Sequence, residues 1–418
     1  MNSYLAVILI ILVGEYLLDL LVESLNVRSA SSVLPEEFCG YYDAEKYQKS
    51  QDYLKENTVF SLIKGTIWTM ITLVFILFGG FNFADNLARG FGFGYMLTGL
   101  IFAAVITLAA QLLNIPFSAY HTFVIEEKYG FNKTTIKTYV LDFIKSLILT
   151  VIIGGIIFSF VLWFFTQSGQ AAWIYCWGAV TLLQLFLLFI APVTILPLFN
   201  KFIPLEKGAL KEAIERYARE QGFKFKGIFK MDASRRSSKA NAFFIGFGRF
   251  RRIVLFDTLI EKLDVPELVS VFAHEIGHYK KRHILKNMLF STAFTGLMFF
   301  ILSLFMENPG LFAAFRMEKL SVYAGLFFFG FLYSPINVIC SVWTHLLSRR
   351  YEYAADTFAV CSYREPEAFI RALKKLTVSN LSNLTPHPVK VFIDYSHPPI
   401  LQRIKAIRKV AQRGQVAA

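Results

Sequence analysis

His274-Glu275-Ile276-Gly277-His278 stands just ahead of an apolar run, and its reading decides what surrounds it. On a helix, residues four apart lie one above the other on the same face. His274 and His278 can therefore aim two imidazole nitrogens at one metal ion. Glu275, on the neighbouring strip, can reach a water beside that ion, which is the arrangement of a metalloprotease. The helix is well signalled. Asp264 and Glu267 form a capping box with Pro266 in the first turn, and Lys280, Lys281 and Arg282 suit the negative end of the helix dipole.

A catalytic zinc usually has three protein ligands and one open position. The best candidate for the third lies in Arg349-Arg350-Tyr351-Glu352-Tyr353-Ala354-Ala355-Asp356, a helical stretch with Glu352 and Asp356 on one face. Glu352 is read as the ligand. Asp356 is read as the group that orients a ligating histidine by accepting its second N–H. The expected cofactor is one Zn²⁺ per chain.

The rest of the chain is a membrane protein by composition. Hydrophobic residues make up 55% and charged residues 17%, with a mean hydropathy of +0.48. That excludes an ordinary soluble domain. Seven stretches reach the ~20 residues needed to cross a bilayer: 4–25, 65–83, 94–113, 146–165, 173–192, 285–306 and 322–342. The first contains Glu15 and Asp19 and is followed by no small-residue cleavage site, so it is read as a retained span. Its acidic groups should face the protein interior or water.

Orientation follows from the cations. With the N-terminus outside the cytoplasm, only Arg89, Arg316 and Lys319 of the 43 Lys and Arg fall on the exterior side. The short segments 26–64 and 114–145 alone carry more basic residues than that, so the positive-inside rule places the HExxH helix and Glu352 in the cytoplasm. The net charge of +13 suits a surface facing anionic lipid. Nucleic acid is excluded as a partner, because the cations flank spans and no binding motif accompanies them. Cys39, Cys176, Cys340 and Cys361 include no CxxC pair, which argues against a disulfide framework or a cysteine metal site.

Four blocks result. Residues 1–196 hold spans one to five, with cytoplasmic loops 26–64 and 114–145. Residues 197–284 are the first half of a zinc protease domain, 285–342 hold spans six and seven, and 343–418 are the second half, read as helices. In the first half a polar helix near 206–221 precedes strand-like runs at 227–232, 241–247 and 251–257. An exposed edge strand at Asn241-Ala242-Phe243 could pair with an extended peptide. Core packing explains those residues equally well.

Longer blocks carry a resemblance. They are His121-Thr-Phe-Val-Ile-Glu-Glu-Lys-Tyr-Gly-Phe-Asn132, Lys239-Ala-Asn-Ala-Phe-Phe-Ile-Gly-Phe247, Arg252-Ile-Val-Leu-Phe-Asp-Thr-Leu259, the HExxH motif, 352–356, and Ser396-His397-Pro398-Pro399. With them the chain resembles the type I CAAX prenyl endopeptidases, integral-membrane zinc proteases that remove the last three residues of prenylated C-a-a-X proteins. The resemblance implies seven transmembrane helices enclosing a chamber, with a gluzincin-like protease domain of small sheet and helices on the cytoplasmic side. It implies His274, His278 and Glu352 as zinc ligands, Glu275 as base, Asp356 behind them, and His397 near the substrate carbonyl. It aligns Asn241 with the strand beside the substrate. His121, His283, His345 and His387 are read as structural, His283 because five residues from His278 it should point off the ligand face.

The partners expected are a peptide or protein substrate, prenylated in the first reading, and membrane lipid. The alternative is a membrane-protein quality-control metalloprotease without a prenyl requirement. A transporter that merely contains an HExxH predicts no metal at all. The short 307–320 loop and the lack of an obvious organelle-retrieval signal favour a bacterial inner membrane over the endoplasmic reticulum.

Overall fold

The computed structural model describes residues 2–245 and 251–416. Among them, seven helices are long and apolar enough to cross a membrane: Ser3–Arg28, Ala44–Leu77, Tyr95–Glu126, Ile136–Gln167, Gly169–Phe199, His283–Ser303 and Val322–Tyr363. None buries more than 17% of its most apolar window against the rest of the protein. Most of their apolar side chains are therefore left facing outward or into open space between the spans.

One expected boundary was wrong. The second span does not continue to Phe83. Its helix stops at Leu77, and Gly79 takes φ 75°, a left-handed conformation that favours glycine. A separate helix, Gly80–Gly90, then folds back and buries Phe81, Ala84 and Ala88. With Pro309–Ala314 it closes one end of the bundle over Phe315 and Phe328, whose rings stack 3.9 Å apart. Buried Asp85 is held there by Arg89 at 2.8 Å and by the Tyr323 hydroxyl.

Two acidic residues of the first span, Glu15 and Glu23, find polar partners. Glu15 accepts a hydrogen bond from Ser334 on the seventh span. Glu23 pairs with Lys390 at 2.5 Å. Asp19 is exposed and makes no ion pair among the described residues.

Five of the span helices have more than 30 residues, longer than a bilayer requires. The seventh has 42 residues, about 63 Å of helix at 1.5 Å per residue. It leaves the apolar stretch without a break and carries Glu352 and Asp356 at its far end. The residues before and after position 343 are thus one rigid element.

Beyond the spans lies a four-stranded sheet in the order β1-β2-β4-β3: β1 (Phe202–Pro204), β2 (Gly227–Met231), β3 (Ala242–Ile245) and β4 (Arg252–Phe256). β2 and β4 run parallel, and the outer pairs are antiparallel. The three strand-like runs read from the sequence correspond to β2, β3 and β4, although the end of the second, 246–247, lies outside the described residues. β1 was not anticipated, being three residues long with a proline. The helix at Ala209–Glu220, the motif helix Val265–Lys280 and the helix Pro366–Ser379 pack with this sheet around Phe272, Ile276, Ile253, Leu255, Phe369 and Ile370, all buried.

Candidate metal centre

The motif helix begins as the sequence requires. Asp264 Oδ1 accepts from Glu267 N at 2.9 Å and Glu267 Oε2 accepts from Asp264 N at 3.0 Å. Glu267 is fully buried, and Lys375 at 2.7 Å and Arg371 at 3.4 Å neutralise it. The cap thus anchors the helix to Pro366–Ser379 as well as starting it.

The motif helix crosses the far end of the seventh-span helix at very short range. A Cβ added at Gly277 would lie 2.9 Å from Ala355 Cα and 3.0 Å from Ala355 O. Backbone cannot yield as a side chain can, so the fourth residue of the motif must be glycine. Gly277→Ala is expected to cost about 1–3 kcal/mol and to push Glu352 away from the two histidines. Metal content per chain, measured on purified variant and wild type, should fall.

That crossing brings three side chains together. His274 Nε2 and His278 Nε2 are 3.1 Å apart. Glu352 Oε1 is 3.2 Å from His278 Nε2, and Glu352 Oε2 is 3.5 Å from His274 Nε2. A tetrahedral ion with ligands at ~2.0–2.1 Å separates its donors by about 3.3–3.4 Å. The observed spacings therefore suit one small ion at the centre of the group. Glu352 is buried, and its Oε2 has no hydrogen-bond donor. A buried carboxylate oxygen without a hydrogen bond is costly, and an ion among these three side chains would satisfy it. Two imidazoles and a carboxylate fit a borderline-soft divalent metal.

Behind this group, His274 Nδ1 lies 2.8 Å from Asp356 Oδ1. Glu275 is half-buried, and burial pushes its carboxyl above the ordinary range against the partial opposition of His274 and His278. His397 approaches from the loop before the C-terminal helix Ile400–Val416, its Nε2 3.4 Å from Glu352 Oε1, with most of the ring exposed. Its loop is tied down by Arg349 Nη1, which donates to the carbonyls of Val391 (2.8 Å) and Tyr395 (2.5 Å).

Two residues were missed by the sequence analysis. Arg403 is buried, and its Nε and Nη2 donate to both oxygens of Asp356 at 2.9 and 2.6 Å. Its Nη1 is 3.4 Å from Glu352 Oε2. One guanidinium thus offsets two buried carboxylates, a task for its fixed fork of donors. No spacing to the motif could have found it, because it sits on a separate helix. His283, expected to point off the ligand face, does so, but its contact with His278 was not foreseen. Its Nδ1 lies 3.1 Å from His278 Nδ1, and its ring stacks on Tyr351 at 4.1 Å. It stays outside the group of ligand atoms, and it reaches the far nitrogen of His278 because Arg282 adopts φ 57° and ends the helix between the two histidines.

Asn241 is exposed, and Ala242 and Phe243 begin β3, which among the described residues pairs with β4 alone and lies at the sheet edge against the motif helix. The chain leading into it is tightly held. Lys239 Nζ is 2.8 Å from Glu126 Oε2 and 2.9 Å from the Tyr53 hydroxyl, which itself donates to Glu126 Oε1. Asn380 hydrogen-bonds both the N–H and the carbonyl of Ala240, at 3.2 and 3.4 Å. Glu126 closes a π-helical turn, His121–Glu126, at the end of the third span. Lys239→Met strips the mostly buried Glu126 of its cation. The expected cost is about 1–3 kcal/mol, read as a lower Tm in detergent with unchanged metal content.

With this geometry in view, comparison with known proteins is specific. Residues 23–201 match the family described as "CAAX prenyl protease N-terminal, five membrane helices", and residues 204–411 match Peptidase family M48. A CAAX prenyl protease 1 homolog of Oryza sativa subsp. japonica is 33% identical, with 97% of each chain covered. The Homo sapiens CAAX prenyl protease 1 homolog is 32% identical over 93% of this chain and 91% of the relative. The Saccharomyces cerevisiae CAAX prenyl protease 1 is also 32% identical, over 94% and 91%. The crystal structure of S. mikatae Ste24p superposes with a TM-score of 0.92 at 30% identity, covering 97% of this chain and 99% of that one.

These relatives come from plants, fungi and animals. The expectation of a bacterial inner membrane is therefore overturned, while the multi-pass membrane location stands. The features behind that expectation, a short loop and a missing retrieval signal, do not physically distinguish one lipid bilayer from another. Spans, sheet, metal-ready cluster and matched length agree, and the chain belongs to the M48 metallopeptidases, in their integral-membrane CAAX prenyl protease branch.

Proposed function

We propose that the chain is a zinc endopeptidase that hydrolyses a peptide bond near the C-terminus of prenylated CAAX substrates at the cytoplasmic face of the membrane. The observation that carries this reading is the approach of His274, His278 and Glu352 to within one ion's reach, with ligand atoms all within 4.8 Å of one another. The names of the relatives support the substrate class. The scarcity of cations on the opposite side supports the orientation. The protease unit is built from two stretches, 197–284 and 343–418, with the last two spans between them.

His274, His278 and Glu352 would hold the zinc. When bound, it supplies Lewis acidity, making water acidic enough to lose a proton near neutral pH and polarising an amide carbonyl. Glu275 takes that proton as the oxygen attacks the carbonyl carbon, then delivers it to the leaving amine. His397, exposed on the open side of Glu352, donates to the oxygen that becomes negative. Asp356 fixes the tautomer and tilt of His274 through Nδ1, and Arg403 keeps Asp356 ionised for that purpose. The substrate lies extended along the free edge of β3, beside Asn241, Ala242 and Phe243, where backbone hydrogen bonds read shape and not sequence.

The test is cleavage of a farnesylated C-a-a-X peptide by purified protein, with and without a zinc chelator. Cleavage before the last three residues, abolished by chelation and restored by Zn²⁺, is the expected result. A folded, zinc-loaded protein that leaves the peptide intact would sink the reading.

A further inference from the structure

A polar cavity of about 590 Å³ lies between the first three spans and the 388–395 segment. Its wall reaches Tyr395, two residues from His397, which is at most about 7 Å of backbone. His397 in turn contacts Glu352. The 395–397 segment therefore joins the cavity wall to the metal centre.

Two lysines line it, and they differ in kind. Lys390 is spoken for, with Glu23 at 2.5 Å and Asp394 at 2.8 Å. Lys64 is half-buried on the second span and makes no ion pair among the described residues. The same wall holds the neutral Asn57, Ser61 and Asn114, together with His121 and with Glu23, whose carboxylate is already paired with Lys390. With Glu23 already matched by Lys390, the Lys64 ammonium is left to favour an incoming anion.

We propose that Lys64 receives the C-terminal carboxylate of the peptide substrate, so that the cavity holds the residues that become the leaving fragment. This rests on the endopeptidase reading above. Three extended residues reach about 10 Å beyond the scissile carbonyl, so a leaving fragment of that length needs room close to the metal centre. The volume falls in the ~300–1,000 Å³ range of small-ligand sites. The lining suits a peptide end as well: amides and hydroxyls for its backbone, Phe60 and Phe117 for apolar side chains. An anion anchor at fixed distance from the metal also acts as a ruler, setting how many residues are removed.

The experiment compares two prenylated peptides that differ only in ending as a free carboxylate or as a carboxamide. Purified full-length, zinc-loaded protein is used, as wild type, Lys64→Met, Lys64→Arg and Lys390→Met. The wild type should favour the acid by roughly 10- to 100-fold in kcat/KM, mostly through KM. In Lys64→Met that ratio should collapse to about one, and Lys64→Arg should keep most of it. Equal cleavage of both peptides by the wild type overturns the proposal without any variant having to fold, and is the result expected if Lys64 serves a lipid headgroup instead. A preference that survives in Lys64→Met, or disappears in Lys390→Met alone, overturns the assignment to Lys64. Cleavage of neither peptide by the wild type overturns the endopeptidase reading and this proposal together.

Discussion

Glu275→Gln is expected to lower kcat for a prenylated peptide by roughly 10²–10⁴-fold while zinc stays bound at one per chain. The amide keeps the size and burial of the carboxylate but cannot accept the proton of the attacking water or deliver it to the leaving amine. The three proposed ligands, His274, His278 and Glu352, are untouched. The loss should therefore fall on kcat, with KM moved little, because a proton-transfer role is exercised in the transition state and not in substrate binding. Metal analysis and steady-state kinetics on the same preparation decide the matter. Wild-type turnover in a zinc-loaded variant would remove Glu275 from the mechanism. Loss of zinc together with activity would make it a structural residue of the site.

Arg403→Met should have the largest effect on stability of any single change near the site. Arg403 donates to both oxygens of Asp356 and lies 3.4 Å from Glu352, and all three residues are buried. Methionine fills similar space but leaves two carboxylates in a dry setting without their cation. Breaking a buried ionic network in this way costs about 3–5 kcal/mol. The metal becomes the main remaining positive charge beside those carboxylates. The variant's Tm should thus fall well below wild type, and should fall further on chelation than the wild type's does. Thermal unfolding in detergent, with and without chelator, measures both. Equal chelator sensitivity in the two proteins would show that Arg403 and the metal do not share a charge balance.

Much was legible without coordinates, because local periodicity carries it. The i, i+4 spacing of His274 and His278, the capping box of Asp264 and Glu267, and seven long apolar runs are each a property of one contiguous stretch, and each appears as a helix. The strands β2, β3 and β4 were equally local. The expected end of the second span failed at Gly79 for the converse reason. The hydropathy pattern runs on to Phe83, but a left-handed glycine turns the chain, and only the packing of Phe81 against Phe315 and Phe328 rewards that turn.

The sequence by itself determined the membrane class, the helix that presents two histidines, and the candidates Glu352 and Asp356, while His397 was named only through the family resemblance. Tertiary structure alone decided the rest. It let one unbroken helix carry Glu352 from the seventh span to the motif, with Gly277 making room for Ala355. It turned His283 back onto His278 through the kink at Arg282, and it brought Arg403 from the C-terminal helix beneath Asp356. Each of those contacts joins separate elements. Their free energy comes from burial and charge compensation in the assembled core, which no pattern of neighbouring residues encodes.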